Sequence, residues 1–184
     1  MNITYIVIGV IVFIILWLVW TYNGFISLRN RMREAWSDID VQLKRRHDLI
    51  PNLIESVKGY MAHERGVLES VTSARTATLG AKTQHETQET ENMLTGALKT
   101  LFAVSENYPA LKASANFIEL QREIRDSEDK IMAARRFHNN TVMTLNTKIE
   151  SFPSNFVAKV FGFKQAELFE LQVEEERDLP KVKF

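Results

Sequence analysis

The sequence predicts an all-α fold: an N-terminal transmembrane helix followed by an antiparallel bundle of long helices, the first of them kinked at a proline. Three observations predict it. Residues 3–22 are almost all Ile, Val, Leu, Phe and Trp, and the first charged side chain is Arg29. From Trp36 onward, apolar residues recur at alternating spacings of three and four, the signature of a packed helical seam. Helix breakers are scarce, with 7 Gly and 4 Pro in 184 residues.

The anchor comes first. Twenty helical residues rise about 30 Å, the hydrocarbon thickness of a bilayer. A cleaved signal peptide is the competing reading. It requires a basic leading region and a small-residue cleavage site, and residues 1–22 have neither. Trp17, Trp20 and Tyr22 suit an aromatic belt at the exit end. Arg29, Arg31 and Arg33, then Lys44, Arg45 and Arg46, follow the span, whereas only the α-amino group precedes it. The positive-inside rule then places the N-terminus outside and residues from about 25 onward in the cytoplasm. The expected organisation is an anchor over 1–24, a bundle over 25–163 and a tail over 164–184.

The first bundle helix carries Phe25, Leu28 and Met32, then Trp36, Ile39, Leu43, Arg46, Ile50, Leu53, Val57 and Tyr60, with Val67, Val71 and Ala74 extending the phase. Pro51 sits inside it. Proline lacks an N–H and clashes with the preceding turn. Either the helix kinks and continues, as the unbroken phase favours, or it stops near Ile50 and restarts with Pro51 in its first turn. Residues 76–92, polar and Thr-rich, predict a turn or a solvated helix end, with Thr83 and Glu86 at capping-box spacing. A second apolar helix carries Met93, Leu94, Ala97, Leu98, Leu101 and Phe102, and Asn107-Tyr108-Pro109 ends it. A third, again near heptad phase, carries Phe117, Leu120, Ile124, Ile131, Ala134, His138, Leu145 and Ile149, and stops at Pro153. Ser154 or Asn155 then caps a short helix that Gly162 ends. A short amphipathic run from Phe163, an acidic patch and "LPKVKF" close the chain.

Little in the sequence points to catalysis. There is no cysteine, which excludes disulfides, thiolate metal sites and Cys nucleophiles. His63-Glu64 begins the HExxH zinc signature, but position 67 is Val. The other histidines are scattered, and no phosphate loop, dinucleotide fingerprint or serine elbow occurs. The reading is of no enzyme, no cofactor and no metal. Lys plus Arg and Asp plus Glu both number 23, which argues against nucleic acid held by a general basic field. The odd residue is Arg46, a charge on an apolar seam. Two readings stand open. An interhelical network of Asp40, Arg46, Asp48, Glu128 and Arg135 fixes the register of the bundle, or Arg46 snorkels to solvent.

With the anchor, the strings "QLKRRHDLIPNL", "ANFIELQREI", "ARRFHNNTVMTLNTKIESFPSN" and the closing "PKVKF" make the chain resemble the LemA family of bacterial membrane proteins. The resemblance runs from Tyr22 to Phe184. It implies one transmembrane helix, a cytoplasmic helical bundle with a long bent first helix, and no accepted reaction. A magnetosome membrane protein is similar to the family, which implies membrane shaping or organisation. A frequent association with a membrane zinc protease implies a partner in envelope stress. Two functions follow as expectations. One is a scaffold on the lipid bilayer that forms homo-oligomers, using Phe156, Val160, Phe161, Phe163, Pro180, Val182 and Phe184 as its interface. The other is an adaptor that offers its tail to a protease. The short Phe-rich helix has two further readings, a lid on the bundle or an interfacial helix on the membrane.

Overall fold

The computed structural model describes residues 3–169. Among them are six α-helices and no β-strand: α1 (Ile3–Lys58), α2 (Arg65–Gly80), α3 (Gln84–Ser105), α4 (Pro109–Lys112), α5 (Ala115–Glu150) and α6 (Ser154–Phe161). The described residues fall into two compact units. One comprises 3–41 with 131–168, and the other 42–130 with Phe169.

α1 runs unbroken through Pro51, so the reading of a stop and restart at that proline is overturned. The continuous seam past Tyr60 is also overturned. α1 ends at Lys58, a turn occupies 59–64, and Val71 and Ala74 belong to the separate helix α2. Tyr60 is half exposed, and Met61 turns into the core in its place. The heptad phase survives the turn, so periodicity alone could not reveal it.

The region 76–92 is helical except at residues 81–83, which correct the expected turn to a tight connection between α2 and α3. The Thr83–Glu86 capping box is formed: the Thr83 hydroxyl accepts from the Glu86 N–H, and the Glu86 carboxylate accepts from the Thr83 N–H. The α6 N-terminus differs from expectation. Neither Ser154 nor Asn155 caps it; the Ser154 hydroxyl donates back to the Lys148 and Ser151 carbonyls instead. Gly162 ends α6 in the left-handed conformation (φ 70°), where a Cβ is disfavoured. The expected amphipathic run from Phe163 is irregular through Phe169. Asn146 holds it, donating to the Ala166 carbonyl and accepting from the Ala166 N–H, both at 2.9 Å.

Each unit has its own apolar core. In the second, Ile50, Leu53, Val57 and Met61 meet Val71 and Ala74 of α2, Leu94, Leu98 and Leu101 of α3, Leu111 of α4, and Phe117 and Ile124 of α5. In the first, Phe25 and Leu145 pack with Val157 and Ala158 of α6, and the Trp36 ring meets the His138 ring edge-on at 5.7 Å. Burial pulls His138 below the usual imidazole range. Of the run 3–20 only Trp17 packs against a core, that of the first unit. Every other residue in it is exposed, and by length and composition it suffices to cross a bilayer.

Pro51 connects local sequence to packing. It has no N–H to offer the carbonyl of His47, four residues earlier. The Arg75 guanidinium of α2 fills the vacancy, with Nε donating to the His47 carbonyl at 2.9 Å. Replacing Arg75 by Ala should therefore lower stability by about 1–3 kcal/mol, the usual cost of stranding a shielded polar group. In a Pro51→Ala background, where residue 51 can donate, most of that loss should vanish. Urea unfolding in mild detergent reads both; an equal loss in the two backgrounds refutes the coupling.

Candidate functional site

The distinctive chemistry is a layer of charge through the second unit. Arg45, Arg46 and His47 follow one another on α1 and so point in three directions, about 100° apart on a helix of 3.6 residues per turn. Arg45 pairs with α5, while Arg46 and His47 share Glu91 of α3. Arg45 Nη2 lies 2.6 Å from Glu123 and Nη1 lies 3.1 Å from Asp126, both on α5 at the solvent edge. Lys130 also reaches Asp126, at 2.8 Å. Arg46 points inward and is 0% exposed. Its Nη2 pairs with Glu91 of α3, its Nη1 pairs with Glu128 of α5, and Nη1 also donates to the Thr95 hydroxyl at 3.1 Å. His47 Nε2 lies 2.6 Å from the second oxygen of Glu91. With Arg75 on the His47 carbonyl, side chains of α2, α3 and α5 all converge on three consecutive residues of α1.

The electrostatics of Glu91 follow from this. It is as buried as Arg46, and burial alone would raise its carboxyl. The hydrogen bond from His47 and the charges of Arg46 and His47 more than offset that and hold it below the ordinary carboxylate range. Glu128 forms the cluster's wet edge, with a side chain 29% exposed. It lines a groove of about 300 Å³ together with Thr95, Leu98, Lys99, Phe102, Ile124 and Arg125.

Of the five residues expected in the network, Arg46 and Glu128 come together, and Arg46 does not snorkel to solvent. Asp48 is exposed. Asp40 and Arg135 belong to the other unit, where Asp40 accepts a hydrogen bond from Trp36 and Arg135 is buried. Glu91, the innermost partner, was missed. Its signal was present: Gln88, Glu91, Leu94, Leu98 and Leu101 continue one helical stripe, so Glu91 is a charge in an apolar phase, as Arg46 is. Reading 76–92 as a turn hid it. Among the described residues, no group of three or more His, Asp or Glu is arranged to hold a metal ion.

A second feature lies in the first unit, where α1 emerges from its uncovered apolar run. The Tyr22 ring sits 4.8 Å from Phe161 and 5.8 Å from Phe163, and Phe163 stacks on Phe25 at 4.7 Å. Arg29 lies over the Phe163 ring, and Lys148 Nζ lies 4.9 Å from the Phe25 centroid. Gly24 leaves room for that ammonium, since a Cβ would collide with it. Phe163 is thus packed inward rather than presented as an interface, whereas Phe156, Val160 and Phe161 remain exposed. Pro180, Val182 and Phe184 lie outside the described residues.

An uncovered apolar helix that continues into a charge-pinned helical bundle defines a membrane-associated all-α protein. The chain belongs to the LemA family, whose sequence signature matches residues 35–184, beginning beyond the apolar run. It is similar to magnetosome protein MamQ of Magnetospirillum gryphiswaldense, 23% identical over 174 residues, covering 80% of this chain and 64% of that protein. It is similar to MamQ 2 of Paramagnetospirillum magneticum at 26% over 175 residues, covering 81% and 64%. Protein LemA of Metamycoplasma hominis is 28% identical over 152 residues, covering 80% and 68%. The chain thus spans 64% of the length of these magnetosome relatives. None of the three names denotes an enzymatic activity.

Removing either centre of the charge layer leaves the other buried and under-paired. Glu91→Gln and Arg46→Met should each lower stability by about 3 kcal/mol at neutral pH. The pH dependence has a definite sign. A carboxyl lowered in the folded state contributes fully above its unfolded value of about 4.3, and the contribution is lost as pH falls through the lower folded value. The melting temperature should therefore fall in acid, less steeply in Glu91→Gln than in the native chain. Equal melting at pH 7, or an identical acid slope, refutes the assignment.

Proposed function

We propose that this protein is a non-enzymatic, single-pass scaffold of a bacterial inner membrane that associates with copies of itself and so shapes or organises the bilayer around it. The observation that carries the reading is the run 3–20, apolar and exposed throughout except at Trp17, which passes without a break into the first bundle helix. Its natural cover is lipid, because backbone polar groups in a helix are satisfied internally and the side chains need no water. Arg29, Arg31 and Arg33 directly after the run favour a cytoplasmic bundle and an external N-terminus.

The charge layer supports a structural role over a chemical one. Arg46 and Glu91 are sealed from solvent and spent on each other and their neighbours, so they offer no open position for a substrate. Self-association is supported by apolar side chains left exposed on bundle helices, among them Leu79, Met93, Met132, Phe137 and Met143. The magnetosome relatives are consistent with work at a membrane.

Mass photometry with negative-stain imaging of the full chain in mild detergent tests assembly. Large closed particles of defined size are expected; a monomer or dimer would sink the self-assembling scaffold. A reporter active only outside the cytoplasm, fused to the C-terminus, should stay silent. Activity would reverse the orientation.

A further inference from the structure

α6 is apolar on both sides. Val157 and Ala158 face the core that holds Phe25 and Leu145. Phe156 and Val160, four apart on the helix, face away and are 62% and 77% exposed, and Phe152, in the turn before the helix and 79% exposed, brings its ring 6.0 Å from that of Phe156. A short helix that merely closed the end of a core would carry polar residues on that outer side. Its position gives this outer side a meaning. The rings that follow Val160, Phe161 and Phe163, rest on Tyr22 and Phe25, only two to five residues beyond Trp20, the last of the uncovered run. α6 is therefore held beside α1 at the level where the apolar run ends. Cations stand there too: Lys159 on α6 and Lys164 just after it are exposed, and Arg29 sits over Phe163.

We propose that α6 is an interfacial foot, with Phe156 and Val160 on its outer side and Phe152 just before it lying in the headgroup–acyl boundary of the bilayer that the N-terminal run crosses. Lys159 and Lys164 reach outward to lipid phosphates. The occupant assigned to this outer side is lipid rather than protein, because Phe161, at the end of the same helix, rests on Tyr22, two residues beyond the run that lipid would cover. Eight residues make a helix about 12 Å long, enough to bury one apolar face in the boundary zone, which extends about 5–10 Å inward. The proposal rests on the reading of residues 3–20 as a membrane span.

The chain has no cysteine, so single labelling sites can be placed cleanly. In the full-length protein in liposomes, Phe156→Cys and Val160→Cys would carry an environment-sensitive fluorophore, with Leu16→Cys inside the run and the exposed Asp129→Cys on α5 as references. The replaced side chains are all exposed, so the cores stay intact. Blue-shifted emission at 156 and 160, lost when lipids spin-labelled near the headgroup are added, with water-like emission at 129, is the expected result. Water-like emission at 156 and 160 while the label at 16 is quenched overturns the foot and leaves the span standing. A blue shift at 156 and 160 that the labelled lipid does not quench means a protein cover, and also overturns it. Failure of quenching at 16 removes the span and the foot together.

Discussion

A guanidinium at position 46 with no exposure to water constrains everything packed around it. Taking such a charge out of solvent costs several kcal/mol unless counter-charges and hydrogen bonds replace the lost water. Glu91 from α3 and Glu128 from α5 supply the counter-charges, and Thr95 supplies an acceptor. Apolar seams tolerate sliding, because one Leu resembles the next a heptad away. A slide of one turn would leave a bare charge on each side of this pair. The layer therefore selects one register of α1 against α3 and α5 among several that apolar packing alone would accept.

Pro51 works with that layer. Its missing N–H would ordinarily weaken the helix, yet it frees the carbonyl of His47, whose own imidazole is engaged by Glu91. Arg75 then ties α2 to the same turn. A defect in one helix becomes a fourth point of attachment, and the helix stays continuous across it. The basic triplet before a mid-helix proline is one device: the triplet reaches three ways, and the proline opens the backbone to a fourth partner.

The LemA signature starts at residue 35, after the apolar run, whereas the first core already begins before it, at Phe25. Exposed apolar side chains are densest in the run before the signature and on the outer side of α6, with others spread over both units. The fully buried ion pair of Arg46 and Glu91 lies in the second unit, while the exposed apolar run belongs to the first.

The sequence by itself determined the helical class, the apolar N-terminal run, the long helices α1 and α5, the capping box at Thr83 and the stop at Gly162. These rest on local rules: periodicity, hydropathy and backbone stereochemistry act within a few residues of one another. It also marked Arg46 as anomalous, because a charge in an apolar phase is visible in one dimension. Only the tertiary structure decided that Glu91 lies opposite it, that Arg75 answers Pro51, that α1 ends at Lys58 although the phase runs on, and that Phe163 packs inward while Phe156 does not. Each of these depends on which elements meet across distances of 28 to 82 residues along the chain or on which side of a short helix faces its support. Such pairings are set by the summed packing of whole helices, a quantity that no local window of sequence contains.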